Sequence, residues 1–406
     1  MLHSKLARLV VACVAAAPVA ARADDLFQAR VTSTDVDRVV RNVGGSSLLD
    51  LTDNLVQAQE DFFVYRGRPF VSEVRYAGIN RALLFNSNAN GTRVNLSIPS
   101  TGFTRTFAGP TRENVKDQIR DFIKKDGSDE YAKFLEQTNE LSPVAVNDGN
   151  PGAVTAILAD EAFRKFGLRP SFPDALNSSL DADGGKFRVD LRATTFDAEV
   201  AEGWSATLAP SWQKKLGERV AISLGGIFHF RDVEGSEVYV AGIEVGVPIA
   251  IIGKPEPGLT WQVTPFFTGG ISASEDFVAG GIILGGGLTS LLSYPIKPDL
   301  VISMGNQISF HEGVPLNVSD YRFDTEVSQQ ILKNALQISY GPSWFVDASI
   351  THTYFIQDAA VETYFTPAIG AGIKIGKSVG IRLAYSADLG DDYTAHNGNL
   401  MFSFGF

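Results

Sequence analysis

From Phe187 onward, apolar and polar residues alternate with a period of two. Phe187, Val189 and Leu191 oppose Arg188, Asp190 and Arg192. Trp204, Ala206, Leu208, Pro210 and Trp212 oppose Ser205, Thr207, Ala209, Ser211 and Gln213. Ile222, Leu224, Phe228 and Phe230 oppose Ser223, His229 and Arg231. The same rhythm sets Tyr239, Ile243 and Val245 against Glu244, and Leu259, Trp261, Val263 and Phe267 against Thr260, Gln262, Thr264 and Thr268. It sets Ile302, Met304, Ile308 and Phe310 against Ser303, Gln307 and His311. A glycine-rich stretch from Val278 to Leu292 and a short one from Leu336 to Tyr340 continue it. Then Trp344, Val346 and Ile350 oppose Asp347; Val361, Phe365, Ile369 and Ile373 oppose Glu362 and Lys374; Ile381, Leu383 and Tyr385 oppose Arg382 and Asp388. Leu400, Phe402, Phe404 and Phe406 close the chain. Such alternation predicts strands with one apolar face, about twelve in all.

Before Phe187 the periods are mixed. Asp35 to Phe62 holds two amphipathic stretches split by Gly44-Gly45. Phe70 to Phe107 reads as short strands with an Asn90-Gly91 hairpin turn. Thr111 is placed to cap a helix with Val115, Ile119, Phe122 and Ile123 on one face, ending before Gly127. Ser128 opens a second helix through Tyr131, Phe134, Leu135 and Thr138. Asn150-Pro151 opens a third in the N-cap and N1 positions, through Val154, Ile157, Leu158 and Phe166 to Gly167. Residues 24–168 therefore read as a small α+β domain, and 169–186, rich in Pro, Asn, Ser, Asp and Gly, as a linker.

A soluble sandwich also alternates, but strand count, strand length and connections favour a closed transmembrane barrel. The count is even, and the strands match the roughly 9–11 residues that cross a bilayer at a tilt. Closure leaves no edge for lipid to satisfy. One set of connections carries Lys214, Lys215, Arg219, Lys254, Lys297 and Lys377. The other carries Asp197, Glu199, Glu202, Asp232, Glu234, Glu237, Glu275, Asp276, Asp391 and Asp392, and includes the longest, from Glu312 to about Gln330. With the barrel's ends in the periplasm, the basic connections are short periplasmic turns and the acidic ones longer external loops. The last strand, alternating up to a terminal Phe406, resembles the C-terminal strand of Gram-negative outer-membrane barrels. That resemblance covers about residues 187–406. It implies that Phe402, Phe404 and Phe406 form a signal read by the barrel assembly machinery.

Composition narrows the rest. Lys5 and Arg8, an apolar Leu9–Ala17 and a small-x-small Ala21-Arg22-Ala23 predict a signal peptide over residues 1–23. The apolar run is well short of the ~20 residues of a spanning helix. The one cysteine, Cys13, lies within it, so no disulfide or thiolate chemistry is expected after cleavage. Removing the three basic residues of this segment leaves 32 Lys and Arg against 46 Asp and Glu, about −14. So acidic a chain is a poor nucleic-acid partner.

The chemistry offered is sparse. His352 falls on an apolar face near a rim, but Tyr354 stands where a serine partner would be needed, so no catalytic site is assigned. His229 and His311 share the polar face with carboxylates without metal-ligand spacing, so neither a metal nor a cofactor is expected. Gly280-Gly281 and Gly285-Gly286-Gly287 lack the strand-to-helix context of a phosphate loop.

The lumen is expected to be lined by Arg188, Asp190, Arg192, His229, Arg231, Glu244, His311, Asp347, Glu362, Lys374, Arg382 and Asp388. Both signs occur, so they fit an aqueous pore or a lumen closed by ion pairs. Trp204, Trp212, Trp261, Tyr354, Tyr385 and Phe406 fit interfacial aromatic girdles. The leading expectation is a non-enzymatic, porin-like channel for small solutes in the outer membrane. The alternative is an anchor that presents the 24–168 domain to a periplasmic partner. Outer-membrane lipid and lipopolysaccharide are the expected surroundings. A domain of this size does not fit inside such a barrel, so it is expected in the periplasm, with at most a segment such as Arg169 to Gly185 entering the lumen.

Overall fold

The computed structural model describes residues 26–34, 40–45, 47–61, 67–123, 128–168, 185–252, 258–314, 316–318, 321–323, 327–341, 344–375 and 379–405. The expected signal peptide, most of the 169–186 linker and Phe406 lie outside them.

The N-terminal unit is built on β1 (Phe27–Ser33), β2 (Val40–Gly45), α1 (Leu48–Asp61), β3 (Phe70–Tyr76), β4 (Ile79–Ser87), β5 (Arg93–Ile98), β6 (Phe103–Ala108), α2 (Arg112–Asp121) and α3 (Ser128–Leu141). Its strands form one antiparallel sheet in the order β2-β1-β3-β4-β5-β6. Period-two positions Phe27, Ala29 and Val31 of β1 and Phe70, Val74 and Tyr76 of β3 are buried with Leu48, Leu51 and Leu55 of α1. The turn from β4 to β5 contains Gly91 in the left-handed region. Thr111 caps α2 by accepting the Asn114 N–H at 3.2 Å. The described part of the first amphipathic stretch, Val40–Gly45, is a strand that pairs with β1 from Thr32↔Val40 to Phe27↔Gly45.

After α3 the chain leaves this unit. Residues 145–153 turn, α4 (Val154–Ala162) follows, and a wider helical turn spans Phe163–Gly167. Asn150 does not cap α4, because the helix begins three residues beyond Pro151. Its side chain instead clamps the preceding turn, donating to Ala145 O at 2.8 Å and accepting from Gly152 N at 3.0 Å.

The remaining strands are β7 (Gly185–Ala198), β8 (Ala201–Lys215), β9 (Ala221–Val233), β10 (Ser236–Gly246), β11 (Ile249–Ile252), β12 (Thr260–Ser274), β13 (Ala279–Lys297), β14 (Leu300–Val314), β15 (Leu316–Val318), β16 (Tyr321–Phe323), β17 (Ser328–Tyr340), β18 (Trp344–Phe355), β19 (Thr363–Ile375), β20 (Val379–Gly390) and β21 (Tyr393–Gly405). Twelve of them, all but β11, β15 and β16, close an antiparallel barrel. Closure is made by β21 on β7, with Leu400↔Leu191, and by β10 on β12, with Ile243↔Gly269. Beyond Gly246 the chain breaks at Val247-Pro248, and β11 adds a short pairing to β12. Every expected strand is present. The eighth is longer than its visible period: β17 starts at Ser328, not near Leu336.

The apolar parity faces outward. Leu208, Phe228, Ile243, Leu336 and Ile369 are exposed on the barrel wall, as lipid contact requires. Trp204 and Tyr354 stand near the end made by Ala198, Ala201 and Val233, whereas Tyr385 lies mid-strand in β20. Trp212 and Trp261 stand near the end that holds Gly185 and Gly405. The wall thus has two aromatic girdles.

The expected loop asymmetry holds only in part: the long connection between β14 and β17 is on the acidic side, but so are three of the shortest turns. Residues 199–200, 234–235 and 391–392, on the acidic side, are two-residue turns, with Glu199, Glu234 and Asp392 in the left-handed region. Asp197, Glu202, Asp232 and Glu237 lie in the strands themselves, which run longer than the bilayer needs. Charge still separates the ends.

Nor does the N-terminal unit hang beside Gly185. It docks on the opposite, acidic end. Tyr76 and Tyr131 hydroxyls both donate to Phe277 O, at 2.8 and 3.2 Å, and the Leu48 N–H donates to Asp276 O at 3.2 Å. The β3–β4 hairpin tip meets the β7–β8 turn. A Cβ on Gly78 would lie 2.7 Å from the Val200 side chain, and Gly78 has φ +88°, so glycine satisfies both contact and conformation there.

Ile369→Arg, in mid-strand on the outer wall, is expected to destabilise the barrel in bilayers by about 2–4 kcal/mol. Equilibrium folding into lipid vesicles measures this.

Candidate functional site

The polar parity converges on the lumen, and the lumen is filled by the chain's own residues 145–168. Alternation of strand side chains sets the wall; α4 supplies the filling. Helix α4 is apolar on nearly all faces, with Val154, Ala156, Ile157, Leu158, Ala159 and Ala162 buried, as befits a helix surrounded by protein.

Near the docking end, Ser272 Oγ donates to Asn147 Oδ1 at 2.8 Å. Asp148 accepts from Thr155 Oγ1 at 2.6 Å and Gln329 Nε2 at 3.2 Å. Arg231 donates to Gly152 O at 3.3 Å, with its guanidinium 4.5 Å from the Phe196 ring centroid. At mid-height Asp160 pairs with Lys333, which also donates to Thr353 Oγ1 at 2.9 Å and Tyr364 OH at 3.4 Å. Glu161 pairs with Arg192, and Gln307 Nε2 donates to Ala159 O at 2.9 Å. Further down, Lys165 lies 3.4 Å from Glu244, and Phe166 packs on Phe266 at 6.3 Å. Gly305 lets the segment through: a Cβ there would sit 1.8 Å from Gly167 O.

The burial is severe. Arg231, Glu244 and Lys333 each expose about 1 % of their surface. Charges withdrawn from water to this degree persist only where a counter-charge or hydrogen bond meets them. The segment supplies Asp160, Glu161 and Lys165 for that purpose.

Arg192, Arg231 and Glu244 thus join the filling segment. Arg188 and Asp190 pair along one strand. Asp347 binds Arg382 through two bonds, 2.6 and 2.9 Å. Asp388 accepts from Thr366 at 2.7 Å and Asn397 at 3.0 Å, His229 meets Thr207 Oγ1 at 2.9 Å, and His311 meets Ser309 Oγ at 3.1 Å. Lys374 is half-buried near the end of β19 away from the docked unit. Glu362 does not line the lumen: β19 begins at Thr363, and Glu362 is exposed at the rim. Lys333 was not legible because the adjacent apolar pair Ile331-Leu332 interrupts the alternation at the start of β17. Its signal is parity, since Gln329, Lys333 and Gln337 all oppose Leu332, Leu336 and Ile338. Phe402 and Phe404 lie on the outward parity of β21. His352, also outward, stacks on Phe365 and contacts Thr363 Oγ1 at 2.7 Å. The glycines of 280–287 lie within β13.

No family model and no curated protein matches the chain. Solved structures do. The translocator domain of the autotransporter NalP from Neisseria meningitidis is 14% identical, over 62% of this chain and 97% of that one, with a TM-score of 0.46. The β domain of the Bordetella autotransporter BrkA is 12% identical, over 56% and 100%, at 0.40. The KdgM porin, in complex with disordered oligogalacturonate, is 10% identical, over 54% and 99%, at 0.34. These likenesses are remote, and what the lumen can do follows from its own residues.

Two outcomes are expected. Lys165→Met leaves Glu244 buried without its cation and should cost about 3 kcal/mol, most of it recovered in Lys165→Met/Glu244→Leu. A chemical-denaturation double-mutant cycle reads this.

The second concerns the docking turn. Burial, with the carboxylates of Glu237, Glu275 and Asp50 nearby, holds Asp276 above its ordinary carboxylate pKa. A raised carboxyl favours the docked state when protonated. Its contribution is complete below the ordinary value, about 3.9, and is lost as pH rises through the raised one. The protection factor of the Leu48 amide, its exchange corrected for the intrinsic base-catalysed rate, should therefore fall over that rise, and Asp276→Asn should flatten the dependence.

Proposed function

We propose that this chain is a sealed, non-enzymatic outer-membrane anchor that holds its N-terminal unit at the cell surface. The observation that carries this reading is the path of residues 145–168, which run down the lumen from the docked unit toward the end where β7 begins and β21 stops. A signal peptide over residues 1–23 would direct export, and the alternating last strand would be read by the barrel assembly machinery. With the barrel's two ends in the periplasm, as its basic turns suggest, the docked unit faces outward. The acidic rim around it would meet lipopolysaccharide across bridging divalent cations. The physical reason for preferring the outside to the periplasm is covalent: the chain reaches β7 only through the pore.

The porin-like reading requires this segment to leave. Its departure would strand Glu244, Lys333 and Arg192 without the partners that Lys165, Asp160 and Glu161 provide. Water would then have to solvate them in a lumen now packed with apolar helix. The anchor reading needs no such step.

An epitope inserted at the exposed Ser100–Thr101 turn tests the orientation. Antibody binding to intact cells is the expected result. Binding only after the outer membrane is opened would return the unit to the periplasm.

A further inference from the structure

The N-terminal unit carries a cleft of about 360 Å³ between the start of β4, the β5–β6 turn and α3. That volume falls within the range of small-molecule sites. Its walls include Ile79, Leu84, Phe134 and Leu141, and Leu141 is 58 % exposed, an unusual state for a leucine beside a ready-made hollow. The cleft exists because β4 bulges. Val74 pairs with Leu83 and Tyr76 with Ile79, so Arg75 stands opposite three residues, Asn80, Arg81 and Ala82. Arg81 adopts φ +56°, a conformation unfavourable for a side chain of its size. Bulges and strained residues gather where a side chain must be aimed.

Two polar side chains, Arg81 and Gln137, fix what the cleft can take. Arg81 lies along its wall with its Nε 3.3 Å from Glu73, which orients the guanidinium by one edge. The far end, with its two Nη groups, is left to donate two parallel N–H···O bonds to a carboxylate end-on. Gln137 Nε2 donates to Ser100 O at 3.3 Å, which fixes the amide. Its Oε1 is then buried with no hydrogen-bond partner. A buried acceptor left open costs free energy until a donor reaches it.

We propose that this cleft binds a small carboxylate with an apolar body and an N–H donor between the two, the pattern of an N-acylated amino acid. The carboxylate lies on Arg81, the N–H donates to Gln137 Oε1, and the acyl or aromatic body covers Phe134 and Leu141. The inference does not depend on which way the unit faces. The cleft adjoins the docking hairpin: Ala77 O accepts from Ser142 Oγ at 2.7 Å, directly beyond Leu141.

N-benzoylglycine is a suitable probe because it partitions little into lipid. Titrated by calorimetry into the full chain in nanodiscs, it should bind saturably, with a Kd between about 10 μM and 1 mM for so small a ligand. N-benzoylglycinamide lacks the charge and 4-phenylbutyrate lacks the donor; each should bind at least about tenfold more weakly, the loss expected for one missing charged or hydrogen-bonded contact. Arg81→Gly keeps the left-handed backbone, so it should fold and lose a similar factor. Leu141→Asp, at an exposed position, should do the same. No saturable binding of N-benzoylglycine, or equal affinity in wild type, Arg81→Gly and Leu141→Asp, overturns the proposal.

Discussion

The structure depends on the pairing of charges across the lumen. A twelve-stranded wall with polar side chains turned inward either encloses water or must be given partners. Here Arg192, Glu244 and Lys333 project into a space occupied by an apolar helix, where an isolated charge is costly. Asp160, Glu161 and Lys165 meet them one by one. The pairs fix the rotation and depth of α4. They also explain why so apolar a helix ends in charge: its flanks pack against glycine and phenylalanine of the wall, and its last turns carry the complement of the wall's charges.

That internal segment sets everything outside the barrel. Because the chain enters β7 only after passing down the lumen, the N-terminal unit must sit at the far end. There the docking is aromatic. Phe277 lies 5.7 Å from Phe27 and 6.4 Å from Tyr76, while its carbonyl takes both tyrosine hydroxyls. Burial raises the pKa of both phenols, which keeps them donors across the physiological range.

The barrel was legible in the sequence because period-two alternation is a local property, and twelve repeats of it leave little ambiguity. Most lumen residues followed from parity alone. Glu362 did not, since parity says nothing of where a strand stops. The occupied lumen was hidden for a different reason. Val154, Ile157 and Leu158 look like the buried face of any domain helix, and no local signal says whether a sheet or a barrel surrounds them. The stronger clue was that α4 is apolar on nearly every side, with Asp160, Glu161, Arg164 and Lys165 crowded at one end. A helix packed on a single sheet keeps a polar face along its whole length. Glu161 and Arg192, Asp160 and Lys333, and Lys165 and Glu244 lie far apart in sequence, so their complementarity emerges only once the strands are closed.

Conductance tests the occupied lumen most directly. The purified full chain, shown to be folded by its heat-modifiable mobility, is inserted in planar bilayers and held at either polarity. A sealed barrel gives no step currents with the unaltered chain, and steps appear only when Lys165→Glu and Asp160→Lys turn the lumen pairs into repulsions. Frequent, long-lived steps from the unaltered chain would contradict the account, because ions could pass only if residues 145–168 did not fill the pore.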